Sequence, residues 1–440
     1  MVPSRGWNRN ATAHNVSGLF FPQRTVLKID QREYTPMMID KIVFAGTNDS
    51  SGEKAARSLR KLADLQISAM TVLRITEQIG GELHQERECQ AALHQRRELP
   101  ATNEQPVEIA CVSVDGGRIR TRAPAQGRGV HEHAWKETKV AALWRMEGPL
   151  FDQDPHPQPP ACFLEQQHVP QMVREIKSQR GEQHVRTESH SEPMDSQPAT
   201  ATPRLWPPKR VFRTCVATLK DVYGFGPLVA AEAQRRGFYD AARQVFLGDG
   251  DHKNWTVHKL HFPYFIPITD FVHVVTYLYG AAGAVTNSWA AQWEQYVQWM
   301  TACWQGDVAG VLASLREWQT RLGLPEKDTP DNDPRQIIAS TLTYLQNNAS
   351  RMNYPEYRQQ GLPITSCLVE SLIKEINHRV KGTEQFWNRP EATEGESILH
   401  AVASLLSDGD PLSRYILSRP GCLYYRRSTD KTPAIAVRSP

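Results

Sequence analysis

Two short apolar runs constrain this chain most, because each is cut off by an aspartate set among glycines. Residues 109–114 (IACVSV) stop at Asp115-Gly116-Gly117, and residues 242–247 (ARQVFL) stop at Gly248-Asp249-Gly250. Runs of this length, rich in β-branched and aromatic residues, read as buried strands. Further runs at 139–146, 210–219 and 264–268 alternate with a helical pattern at 226–236. Strands alternating with helices predict an α/β fold with acidic residues at strand ends, where such sheets build their sites. Asp-Gly after an apolar run is equally a hairpin-turn signal, so either aspartate alone reads as a turn.

Upstream, a short helix is expected over 34–43. Ser50 followed by Glu53 has capping-box spacing. The helix it opens carries Ala55, Ala56, Leu59, Leu62 and Ala63 on one face. After a break at 64–67, Ser68 caps a second helix with Val72, Ile75, Ile79 and Leu83 inward. Two helices so connected have helix-turn-helix spacing, which would present Thr71, Arg74 and Gln78 to a DNA groove. An ordinary helical hairpin has the same spacing.

Downstream, 273–348 has helical periodicity, with Trp289, Trp293, Tyr296 and Met300 forming a stripe that reads as a core face. Eleven of the 30 prolines fall within 149–208, and 178–203 is rich in Gln, Ser, Glu and His, the composition of an exposed insertion. A late helix, 367–380, carries Glu370, and a last one is expected over 396–406 before a basic tail.

The order strand-Asp, strand-Asp, helical insertion, helix-Glu resembles the RNase H-like core of Asp-Asp-Glu DNA transposases. Four local stretches resemble the Kra-type insertion-sequence transposases and their Mutator-like relatives: 113–117 (SVDGG), 246–250 (FLGDG), 268–273 (ITDFVH) and 370–387. The resemblance covers most of the chain outside 1–30 and the polar insertion. It implies an accessory region at 1–49, a helix-turn-helix-like region at 50–105, a catalytic core beginning at 106–275, an inserted all-α subdomain at 276–362, and the rest of the core with a basic tail at 363–440. It makes Asp115, Asp249 and Glu370 the catalytic metal ligands. Asp270 and His273 match a motif that supports the site and contacts DNA, and Lys374, Arg379 and Lys381 follow Glu370 as candidates for phosphate contacts. Asp251 stays open as an alternative second ligand. A His273 that merely caps its helix is the plainer reading of that residue.

Such a set suits phosphoryl transfer, in which two Mg²⁺ or Mn²⁺ ions held by shared carboxylates activate the attacking oxygen and stabilise the leaving one. The expected activity is strand cleavage at transposon ends followed by strand transfer into target DNA, with a dimer or larger assembly on double-stranded DNA. The rival is a catalytically inactive, transposase-derived DNA-binding protein.

Composition limits the alternatives. The seven cysteines are scattered and never form Cys-x-x-Cys, which argues against a disulfide framework or a zinc knuckle. His131-x-His133 and the histidines at 252, 258 and 261 lack zinc-ligand spacing. No apolar run approaches the length of a membrane span, and the start of the chain lacks a secretory pattern, so a cytoplasmic, nucleoid-associated location is expected. A net charge of +3 permits nucleic-acid binding only through local patches.

Overall fold

The computed structural model describes residues 34–100, 106–122, 134–179, 206–365, 367–380, 387–388 and 394–419. Three helices come first: α1 (Pro36–Asn48), α2 (Gly52–Ala63) and α3 (Ala69–Gln95). Each has a hydroxyl N-cap: Thr35 accepts from Met38 N, Ser51 from Lys54 N and Ser68 from Thr71 N. The cap of α2 is thus Ser51, one residue after the Ser50 read from the sequence.

The sheet holds β1 (Ile109–Arg122), β2 (Ala134–Glu147), β3 (Lys209–Thr218), β4 (Arg243–Gly248) and β5 (Ile266–Thr269) in the order β3-β2-β1-β4-β5. β2 pairs antiparallel with β1 and β3, while β4 pairs parallel with β1 and β5 with β4, so β2 alone runs against the others. A two-residue β6 (Trp387–Asn388) joins the far end of β1. β1 does not stop at Asp115. Gly116 and Gly117 pair with Lys139 and Thr138, and the ladder continues to Thr121. Cross-strand pairing overrides the turn signal of Asp115-Gly116, leaving the aspartate inside a strand.

Alternation along the strands feeds two cores. Ala110, Val112 and Val114 of β1, with Phe246 of β4, face α5 (Val222–Arg235), α6 (His252–His261) and the last turns of α3. Ile109 and Cys111, with Val245 and Leu247, face the other way. That second face is covered by α4 (His168–Gln179), α7 (Phe271–Val285), α12 (Cys367–Val380) and α13 (Glu394–Leu405), with α8 (Trp289–Trp304), α9 (Val308–Leu322), α10 (Pro334–Asn348) and α11 (Tyr354–Gln359) packed beyond. One apolar cluster runs unbroken from β1 to Trp304 and Leu345, so the helical segment shares its core with the sheet. Tyr296, Trp299 and Trp304 carry the buried stripe, while Trp289, at the first turn of α8, is half exposed. The proline-rich stretch also differs from expectation: α4 lies within it and buries Val169, Val173 and Ile176 against the sheet. Residues 180–205 of that stretch lie outside the described residues.

A third cluster joins the two ends of the described chain. Ile39, Ile42, Leu59, Val72 and Ile75 pack with Leu412 and Ile416 of α14 (Pro411–Ser418). α3 then continues onto the body of the protein, where Gly80 lets it approach α13: a Cβ there would lie 1.9 Å from the Ser397 carbonyl oxygen.

Candidate active site at the strand ends

Three aspartates stand at one level across the sheet. The parallel registers Val114↔Gly248 and Gly248↔Thr269 make Asp115, Asp249 and Asp270 the next residues on three adjacent strands. Neighbouring strands lie ~4.8 Å apart, so the backbones at 115 and 249 are close neighbours. Alternation along β1 from Cys111 assigns Asp115 to the sheet face that carries α7 and α12.

Asp249 is fixed from several sides. Its Oδ1 accepts from Asp251 N at 2.9 Å and from Asn254 Nδ2 at 2.8 Å. Its backbone carbonyl accepts from the Tyr344 hydroxyl of α10 at 2.9 Å. Gly250 has φ +97°, and a Cβ there would come within 2.5 Å of the Tyr344 ring. Asn348 adds a clasp, accepting from Trp255 Nε1 at 2.9 Å while donating back to Tyr344 O. The helical layer thus holds the Asp249 turn against the sheet. Asp251, the alternative second ligand, is instead the N-cap of α6, its Oδ1 accepting from Lys253 N at 2.8 Å.

A cleft of about 1030 Å³ opens over Asp115 and Asp249. The continuation of β1 and β2 past the end of β4 forms one wall, the first turns of α6 another, and Tyr344, Asn347 and Arg351 a third. Cations rim it: Arg118, Lys139, Lys253, Lys259 and Arg351. Glu137 lies between two of them, with Lys139 Nζ at 2.5 Å and Lys253 Nζ at 3.1 Å. Partial burial would raise the Glu137 carboxyl, but hydrogen bonds and charge from both lysines outweigh it and lower its pKa. Arg351 stacks over the Trp255 ring at 4.5 Å.

Other residues expected at the site fall differently. Asp270 is 1% exposed and caps α7 through Val272 N, and His273, 4% exposed, lies 3.7 Å from its Oδ2. Neither lines the cleft, where the expected DNA contact would be made. Arg379 is also corrected. Its guanidinium is buried, and Nε donates to the Gly46 carbonyl of α1 at 2.6 Å, so it docks the N-terminal helices instead of meeting phosphate. Glu370 is placed by its backbone in the first turns of α12, on the same sheet face as Asp115; its side chain and that of Lys374 lie outside the described residues, as does Lys381. At the far end of α3, Arg74 is exposed while Thr71 and Gln78 are half-buried; Thr71 is engaged by the Ser68 cap and Gln78 by Glu82.

A second polar cluster, not anticipated from the sequence, lies where α3, β3 and α13 meet. Glu396 accepts from Thr218 Oγ1, from Leu219 N at 2.6 Å and from His400 Nε2 at 3.0 Å. Arg87 reaches His400 Nδ1 at 3.1 Å, and His84 stacks on the His400 ring. Ligand atoms of His84, Glu396 and His400 lie within 4.8 Å of one another, as a metal group's would. The hydrogen bonds argue otherwise. Guanidinium can only donate, so Nδ1 keeps the lone pair and Nε2 carries the proton to Glu396, leaving His400 no lone pair for a metal. Burial is the main force lowering the His400 pKa, to about 4, with Arg87 adding to it.

Lys139, Lys253, Tyr344 and Asn348 also line the cleft over Asp115 and Asp249, outside the sequence motifs. The sequence signals were a lysine opening the apolar run at 139–146, and a polar Tyr-x-x-x-Asn pair at helical spacing. No family model matches the chain, and no curated protein matches it.

Proposed function

We propose that this chain is a metal-dependent DNA strand-cleaving and strand-transfer enzyme of the Asp-Asp-Glu transposase type, built on an RNase H-like core. The observation that carries the reading is the placement of Asp115 and Asp249 side by side on adjacent parallel strands, under a cleft rimmed by cations. A five-strand order in which the second strand alone is reversed, with the helix bearing Glu370 on the face of Asp115, is consistent with that core.

The donor set fits Mg²⁺ or Mn²⁺: carboxylate oxygens at a solvent-open cleft with no cysteine in its lining. Asp115, Asp249 and Glu370 would hold two such ions, which supply Lewis acidity to the attacking and leaving oxygens of an in-line displacement. The protein's own part is positioning. The Tyr344 and Asn348 braces keep Asp249 aimed, Asp270 and His273 fill the space beneath it, and the rim cations hold a DNA backbone across the strand ends. Hydrolytic nicking and attack by the freed 3′-hydroxyl are then the same reaction with different nucleophiles, and joining two ends calls for at least two copies on DNA.

The test is strand cleavage of the inverted repeats flanking the reading frame, in Mg²⁺ or Mn²⁺, with Asp249→Asn beside wild type. Metal-dependent nicking that the variant loses supports the reading. Wild type that binds those ends but nicks no better than the variant overturns it, in favour of a non-catalytic DNA-binding protein.

A further inference from the structure

We infer that Lys139 and Lys253 form a clamp for a DNA phosphate next to the reacting one, and that Glu137 is the internal anion occupying this clamp until a phosphate takes its place. The inference rests on the reading above and deepens it by naming where the substrate backbone is gripped.

The two lysines come from different elements, β2 and α6, yet converge on opposite oxygens of one carboxylate. Lys139 is 5% exposed, an unusual position for a lysine, and Glu137 holds its ammonium at the cleft wall. Two ammonium groups fixed about one carboxylate present donors to an oxyanion, an arrangement that a phosphate with its own charged oxygens can also fill. Lys139 pairs across the ladder with Gly116, the residue after Asp115. Lys139 and Glu137 lie on the sheet face opposite the Asp115 carboxylate, and Gly116 puts no side chain on that face beside them. A Cβ at 116 would lie 3.4 Å from Glu137 Oε1, so the carboxylate rests directly over that glycine. A strand whose reacting phosphate sits at Asp115 and Asp249 thus has a path over Gly116 to the lysines. Arg379 of α12 is a poorer grip, since its Nε is engaged by the Gly46 carbonyl and the residue does not line the cleft.

The geometry predicts effects of opposite sign. In fluorescence anisotropy with a short mixed-sequence duplex and Ca²⁺, Lys253→Gln weakens binding about 5- to 10-fold and reduces the log–log salt slope by ~0.9, one phosphate contact. Glu137→Gln tightens binding several-fold, because the competing anion is gone. Lys253 is half exposed, so its variant folds, which thermal unfolding checks. A neutral methylphosphonate, placed in turn along one strand, costs affinity at one position in wild type and nothing there in Lys253→Gln. Unchanged binding by Lys253→Gln, or weaker binding by Glu137→Gln, overturns the clamp. Cleavage by wild type in Mn²⁺ alongside unmoved affinities sinks the clamp and keeps the enzyme. Affinities that move as stated without any cleavage do the reverse.

Discussion

At the junction of α3, β3 and α13, an acid, two histidines and an arginine are closed in upon one another; at the strand ends, acids and cations of the same kinds surround an open cleft. Around Glu396, burial pushes the carboxyl up, but donors from His400, Thr218 and Leu219 outweigh it and bring its pKa down to about 2. Around Asp115 and Asp249, acids gather on one level, and cations from several elements line the rim of the cleft above them. The first arrangement spends its hydrogen bonds on holding helices to a sheet. The second keeps its electrostatics turned toward a space large enough for a ligand. A polar cluster is therefore assigned by where its donors and charges point, and both the sequence and the mere proximity of ligand atoms are silent on that.

The comparison breaks most readily at the open cluster. Asp115→Asn and Asp249→Asn should each lower metal-dependent strand cleavage by at least ~10³-fold, about 4 kcal/mol of barrier, with little change in Tm. A large Tm loss with retained cleavage would make these acids structural and erase the contrast. At the closed cluster the expected effect is on stability. The folded His400 value near 4 lies below the ordinary 6.5, so the unfolded chain takes up the proton first. Stability from neutral His400 is whole above pH 6.5 and is lost as pH falls toward 4, by about 3 kcal/mol in total. Denaturant titrations across that window should show the decline, and His400→Gln should flatten it while sparing cleavage measured near neutrality.

Two smaller effects test the brace that links the helical layer to the open cluster. Gly250→Ala must place a Cβ at positive φ against Tyr344 and should cost about 1–3 kcal/mol of stability. Tyr344→Phe loses only the hydroxyl that holds the Asp249 carbonyl, about 1 kcal/mol, yet should slow cleavage several-fold with unchanged DNA affinity. Equal effects of Tyr344→Phe on affinity and turnover would place the brace in binding. Least of all, Arg74→Ala should move stability by under about 0.5 kcal/mol while weakening binding to the element's ends.

Much of the sheet was legible because strand periodicity and burial coincide: the runs at 109–114, 139–146, 210–219 and 242–247 each fall on a strand, two of them overrunning it by one residue. Asp115 was misplaced at a strand end because Asp-Gly-Gly carries a local turn preference that pairing with Lys139 and Thr138 overrides. Glu396 and His400 escaped notice because a helix pattern does not reveal that Thr218 and Arg87 wait on other elements. Arg379 was misread for the complementary reason, since a cation near a helix end gives no sign that Gly46, more than 300 residues away in the chain, supplies its acceptor. Asp249 and Asp270 were found through local motifs, whereas the partners that aim or bury them are long-range.

α3 runs unbroken for 27 residues, from exposed Arg74 near its start to Ala91 against the sheet. At ~1.5 Å per residue that is a strut about 40 Å long. If DNA is read at its outer end, the helix acts as a ruler, since a duplex rising ~3.4 Å per base pair passes roughly twelve pairs over that length. The interval between recognised sequence and cut would then be a dimension of the protein. Adding one residue to α3 would advance the far end by ~1.5 Å and turn it by about 100°, spoiling the phase of the cut far more than its distance.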